Sequence, residues 1–143
     1  FAVSDQRNVE LRSGDVVCPI DFMEPSGLTF TQTDQYDPNP RERVKLREWH
    51  LTATTEKKSR SVEFVTLMRP HRAGQDVSGK ADLQKTNGGY VLTAELSDGQ
   101  VTVLLPTDDS AVLSSGDLST KGKIAAKRVA ADGSVVGVIE IDN

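Results

Sequence analysis

Three dipeptides set the terms on which the second half of this chain can fold: Asn87-Gly88, Asp98-Gly99 and Asp132-Gly133. Each stands between runs in which apolar and polar residues alternate, and Gly, Asn and Asp are the residues that accept the positive φ of a tight hairpin turn. In "YVLTAEL" the side chains of Tyr90, Leu92, Ala94 and Leu96 fall on one side, with Thr93 and Glu95 on the other. "QVTVLLP" repeats the pattern with Val101, Val103 and Leu105. The spacing predicts a type I′ turn at Asp98-Gly99 and a last hairpin that pairs "KIAAKRVA" with "VVGVIEI". No long run keeps the three-and-four spacing of a helix, and turn residues recur about every eight to twelve positions. The expected fold class is all-β: an antiparallel β-sandwich of about ten to twelve short strands with little or no helix.

A length of 143 residues, 36% hydrophobic and 27% charged, fits one globular domain spanning residues 1–143 around one core. Such a chain hides roughly two-thirds of its unfolded surface, enough to fold without metal or disulfide staples. The single cysteine, Cys18, has no intramolecular partner and reads as a small buried apolar residue. No stretch nears the ~20 apolar residues of a membrane span, and "FAVSDQRNVE" lacks the plan of a secretory signal. Because the chain opens on Phe1 instead of methionine, the expectation is a processed or excised piece of a longer protein.

The segment "EWHLTATTEKKSRSVEFVTLMRP" reads as two strands joined by the charged turn "TEKKSR". Val44 and Leu46 share one parity and Trp49, Leu51 and Ala53 the other, so a β-bulge near Arg47 and Glu48 is expected. Trp49 then belongs in the core, with a sugar-stacking platform as the lesser alternative. His50 faces away from it. "SVEFVTLM" is apolar on both parities at its far end, as a central strand covered on both faces would be, and Pro70 ends it for want of an amide donor. In "FTQTDQYDPNPRER", Pro38 and Pro40 block a ladder. Asp34, Asp37 and Asn39 there are suited to capping turns or, less readily, to holding a calcium ion.

The formal net charge of -4 is unevenly spread, for residues 41–72 hold nine of the 17 basic side chains against four acidic ones. A solvated strand face explains this, and so does a patch for a polyanion. On the second reading Lys57, Lys58, Arg69, His71 and Arg72 are the candidate glycan contacts. His71 lies between two arginines, which disfavours both imidazolium and a bound metal cation. Two histidines and one cysteine without close spacing make no transition-metal site. Nucleophile-elbow, phosphate-loop and dinucleotide fingerprints are missing from the sequence, so no catalytic residue and no cofactor is expected. Overall acidity and few aromatics argue against nucleic acid as a partner.

The run "EWHLTATTEKKSRSVEFVTLMRPHR", flanked by "LTFTQTDQYDPNP" and "GGYVLTAELSDGQVTVLLP", resembles the strands near the C-terminus of heparinase II/III-like polysaccharide lyases. The resemblance covers about residues 20–105 and rests on short motifs of common strand residues. Members of that family join an α-helical toroid to antiparallel sheets and cleave acidic polysaccharides by β-elimination. The resemblance implies an accessory β-sandwich that buttresses the catalytic toroid of the same parent chain, in a secreted or periplasmic enzyme acting on uronate-containing polysaccharide. The family's catalytic tyrosine, histidine and asparagine have no counterparts among these residues, and only His50 matches one of its histidines. The alternative expectation is a carbohydrate-binding module for acidic glycans.

Overall fold

The computed structural model describes residues 1–5, 7–34, 49–77 and 79–142. Among these the chain is all-β, with fourteen strands, antiparallel pairing throughout and no helix. It divides into two compact units, Phe1–Gln75 and Asp76–Asn143. The one core expected from length and composition is resolved as two clusters of buried side chains, one in each unit.

The N-terminal unit contains β1 (Ala2–Val3), β2 (Asn8–Ser13), β3 (Val16–Glu24), β4 (Leu28–Thr33), β5 (His50–Thr55), β6 (Val65–Met68) and β7 (His71–Arg72). Its main sheet runs β1-β2-β3-β6, with β7 also paired to β3, and β4 and β5 form a separate hairpin. Asp5 fixes the entry to β2: its carboxylate accepts the amides of Arg7 at 2.7 Å and Asn8 at 2.8 Å, an Asx turn that aims the chain into the ladder. The β2–β3 register sets Val9 opposite Ile20 and Leu11 opposite Cys18. That places four apolar side chains on one face, because directly opposed residues share a side. Phe30 and Leu51 from the β4–β5 hairpin pack against this cluster, and the Phe22 and Phe30 rings meet at 4.9 Å with a 58° tilt. Cys18 is buried here, as its composition-based reading anticipated.

The C-terminal unit contains β8 (Ala81–Thr86), β9 (Gly89–Leu96), β10 (Gly99–Pro106), β11 (Val112–Ser115), β12 (Leu118–Lys121), β13 (Lys123–Ala130) and β14 (Val135–Asp142). The sheet order is β14-β13-β10-β9-β8, and β11 with β12 makes a hairpin. Leu104 lies opposite Val91 on β9 and Ala125 on β13, and Leu113 and Leu118 of the hairpin cover all three. A five-stranded sheet roofed by a hairpin is thus the plan of this unit. Leaving the hairpin, the chain turns through Gly122, at φ +65, whose amide donates to the Ala111 carbonyl at 2.8 Å. A Cβ at this position would run into the Asp109 backbone, so only glycine lets β13 start beside the hairpin.

Several sequence expectations hold in detail. The final hairpin pairs β13 with β14, Tyr90, Leu92 and Ala94 share one buried side of β9, and Asn87-Gly88 and Asp132-Gly133 sit between strands. Others are corrected. The β9–β10 turn is made by Ser97 and Asp98, with Gly99 already paired to Leu96, and no described non-glycine residue has positive φ, so the turn is not type I′. Gly99 serves instead for close approach, because a Cβ there would meet the Val129 carbonyl of β13. The two strands of the central segment do not pair with each other: β5 pairs with β4 and β6 with β3. Nine residues separate them, long enough for the chain to change sheets, and β6 becomes an edge strand instead of a covered central one. The bulge expected near Arg47 and Glu48 lies outside the described residues.

Leu104 is 0% exposed at the centre of its cluster. Leu104→Ala is expected to cost about 2–5 kcal/mol, since a cavity ringed by Val91, Leu113 and Leu118 has little freedom to collapse. Urea denaturation followed by circular dichroism measures it.

Candidate functional site

The cationic segment is laid out by three strands. Arg69 follows β6, and its amide donates to the Pro19 carbonyl at 3.1 Å, which holds the side chain over β3. There Nη2 forms a hydrogen-bonded ion pair with Asp21, and only 12% of the Arg69 side chain is exposed. Nη1 of the same guanidinium is buried and has no hydrogen-bond partner. Asp21 therefore offsets the charge without satisfying the whole donor fork. His71, two residues on, sets Nδ1 2.8 Å from the Arg69 carbonyl. A carbonyl only accepts, so Nδ1 carries the proton and the ring orientation is fixed. Arg72 pairs with Asp15 at 2.6 Å on the exposed surface, and its amide donates to Gln75 Oε1 at 2.9 Å.

Lys57 and Lys58 are exposed in the turn that follows β5, where Thr55 Oγ1 donates to the Lys57 carbonyl at 3.1 Å. The five candidate glycan contacts thus divide into two groups. Arg69, His71 and Arg72 run along β3, and the two lysines stand beyond the β4–β5 hairpin. Arg69 serves the fold through Asp21, and Lys57, Lys58 and Arg72 are the candidate cations open to solvent. Arg41, Arg43, Lys45 and Arg47 lie outside the described residues, as do Asp37 and Asn39 of the proposed ion site; Asp34 is exposed.

Trp49 is where expectation and structure part most sharply. It is 53% exposed, not packed in a core. Within β5 the inward positions are Leu51, Ala53 and Thr55, the parity predicted for them, but the ladder ends at the Thr33–His50 pair. Trp49 falls one residue beyond that pair and so lacks the opposing strand that would have enclosed it. His50 is exposed, on the opposite side of β5 from Leu51.

Groups whose protonation is displaced lie at turns and ion pairs. The Arg7 amide, then Asn8, lowers the pKa of Asp5; the Ser110 hydroxyl and amide lower that of Asp108; those of Ser134 lower that of Asp132. The Lys127 ammonium lowers Asp117 by hydrogen bond and by charge, and the Asp142 carboxylate raises Lys123. Each is accounted for by its nearest neighbour and serves a turn or a strand pairing. No trio of His, Cys, Asp or Glu among the described residues is placed to hold a metal ion. A shallow cleft of about 210 Å³, lined by Lys80, Asp82, Thr93, Glu95 and Gln100, crosses the ends of β8, β9 and β10. It is smaller than the usual small-molecule site.

No protein-family model matches the chain, and neither the curated proteins nor the solved structures contain a match. The lyase resemblance rests on residues 20–105 themselves.

Two outcomes follow from this electrostatic layout. Asp21→Asn removes the one counter-charge of a nearly buried guanidinium and is expected to cost about 1.5–3 kcal/mol, with less lost in the double variant Asp21→Leu/Arg69→Met. Chemical denaturation of the three proteins tests the ranking. Asp108, Asp117 and Asp132 all titrate below the ordinary 3.8 when folded. Their stabilisation is present above 3.8 and is lost as pH falls through the lower folded values. The urea midpoint of the C-terminal unit should therefore drop on acidification below pH 3.8, and Asp117→Asn should flatten that drop.

Proposed function

We propose that this chain is a non-catalytic accessory β module that buttresses the catalytic part of a secreted or periplasmic polysaccharide lyase of the heparinase II/III-like kind. The observation that carries the reading is apolar surface on β6 and the segment before it. Val65 and Leu67 turn inward, while Met68 is 59% exposed and Phe64, just ahead of the strand, is 52% exposed. Large apolar side chains left open along one strand segment of a folded unit are a surface that a larger assembly can cover. An accessory module whose neighbour is the catalytic toroid of its own parent chain has use for such a surface. The resemblance of residues 20–105 supplies the nature of that neighbour and of its acidic polysaccharide substrate.

The test has two arms. The chain alone, incubated with heparin, hyaluronan and alginate, is expected to generate no ultraviolet absorbance from unsaturated uronic ends; a steady rise in that absorbance overturns the reading. In the second arm, the separately produced toroid of the parent chain binds the module, and Phe64→Ser/Met68→Ser weakens binding by about tenfold or more in calorimetry. Equal affinity of wild type and variant overturns the proposed contact.

One observation favours the second reading, an acidic-glycan module: Trp49 is open to solvent at one end of β5, and Lys57 and Lys58 are open beyond the other. Six strand residues put these ends roughly 20 Å apart, so a ligand touching both must be an extended chain. On this reading, heparin or alginate quenches Trp49 fluorescence, the effect fades with added salt, and Lys57→Ala/Lys58→Ala weakens it. Neutral glycans serve as the control. A tryptophan signal that stays flat with every polysaccharide removes this reading.

A further inference from the structure

The outer strand of the C-terminal sheet differs from every other sheet edge described in the chain. β14 pairs with β13 on one side, and its other side carries a row of unpaired backbone donors and acceptors. All eight of its residues are exposed, among them Val135, Val136, Val138, Ile139 and Ile141. Sheet edges are normally blunted by shortness, charge or proline. The other edges of the two five-stranded sheets follow that rule. β1 and β7 are two residues each, Pro70 stands between β6 and β7, and β8 turns Asp82, Gln84 and Lys85 to solvent. β14 is long, apolar on both sides and carries no lysine or proline.

An unpaired edge selects an extended strand as its occupant, because only another backbone supplies the matching hydrogen bonds. The placement of charge then selects which strand and in which direction. Glu140 and Asp142 occupy the C-terminal end of β14, and the rest of the strand is uncharged. Parallel self-pairing in register stacks carboxylate on carboxylate. Antiparallel self-pairing about a two-fold axis normal to the sheet keeps each copy's faces aligned and separates the acids, provided the axis falls before Glu140. The register with β13 narrows the choice further. Pairing steps from Arg128–Gly137 to Val129–Val135, so Val136 is the extra residue of a bulge, and the regular ladder begins at Gly137. The ladder ends at Asp142, which is held by the Lys123 ammonium at 3.0 Å, and the stretch before it, Gly137–Ile141, is centred on Ile139. An axis there sets Ile139 against the partner's Ile139, Val138 against the partner's Glu140 and Gly137 against the partner's Ile141, with no like charges opposed.

We propose that β14 is a homodimerisation edge, at which two copies of this chain join their C-terminal sheets antiparallel about Ile139 into one continuous sheet. The interface is isologous and closes on itself, because each copy contributes the same edge, β14, to the pair. It is independent of the accessory or glycan-binding role.

Sedimentation equilibrium of the full chain over a wide concentration range is the experiment. Wild type should approach twice the chain mass as concentration rises. Ile139→Lys and Ile139→Glu, which each set like charges face to face on the axis, should halve that mass. Mixing the two variants should restore it, because lysine then opposes glutamate. Position 139 is already 58% exposed, so neither side chain has to be accommodated in a core. Amide exchange on wild type gives a readout without mutation: β14 amides should become more protected with concentration, and β8 amides should not. Wild type that stays at the monomer mass, an Ile139→Lys dimer as tight as wild type, an equimolar mixture that stays monomeric, or β14 protection that does not change with concentration would each overturn the proposal.

Discussion

The contact of Leu104 with Val91 and Ala125 decides how the C-terminal unit is built. Directly opposed residues on neighbouring strands share a face, so these three are brought together by register alone, before any side-chain fitting. They form an apolar row too narrow to exclude water by itself. The connection from β10 to β13 supplies the cover by folding into the β11–β12 hairpin, whose Leu113 and Leu118 close over the row. The tight spot at Gly122 follows from this economy, since the hairpin must end almost on top of the strand it feeds. The N-terminal unit uses the same device with different parts: Val9, Cys18 and Ile20 on the sheet, Phe30 and Leu51 from the β4–β5 hairpin. Two small cores of this kind replace the single larger one that length suggests.

Much of this was legible in the chain because hairpin chemistry is local. Asn87-Gly88 and Asp132-Gly133 announce turns through residues that accept positive φ, and the alternation of "YVLTAEL" puts Tyr90, Leu92 and Ala94 on one buried side, whereas the row under Leu104 is built on Val91 of the other side. Even so, Asp98-Gly99 shows the limit of the dipeptide rule. The glycine is needed for the approach of Val129 on a strand thirty residues away, and the turn itself is moved back to Ser97 and Asp98. Non-local pairing was not legible at all. Nothing in "TEKKSRSVEF" says whether the chain turns back on β5 or crosses to another sheet, because a charged link of this length serves either path. Once the crossing is made, β6 gains an edge position, and its two-sided apolar pattern means exposure instead of burial.

Trp49 and Arg69 illustrate the same limit at the level of single residues. Parity placed Trp49 with Leu51 and Ala53, and Leu51 and Ala53 do share the inward side; what parity does not carry is where the opposing strand stops. A large ring one position past the last ladder pair is open, whichever way it points. Arg69 went the other way. As a member of a basic run it was a natural candidate for binding polyanions, yet its backbone bond to Pro19 carries it over β3, where Asp21 awaits. The acid lies 48 residues away in sequence, so no local pattern signals the pair. The unpartnered Nη1 shows the cost of holding a planar five-donor group with a single carboxylate.

The distribution of exposed apolar surface bears on function more directly than the charges do. Cations in residues 57–72 are divided between a turn and a structural pair, so the excess of positive charge does not form one continuous patch among the described residues. Apolar exposure is concentrated in two places instead: the β6 segment of the N-terminal unit and β14 of the C-terminal unit. Their geometries differ. β6 offers Phe64 and Met68 as side chains, a surface that a partner of almost any fold can cover. β14 offers backbone as well, which only a strand can use. On the proposals made above, the β6 segment would meet a neighbouring domain and β14 a second copy of the chain. Two weak attachments of that kind would act with the strength of their combination, provided both are reached in one geometry.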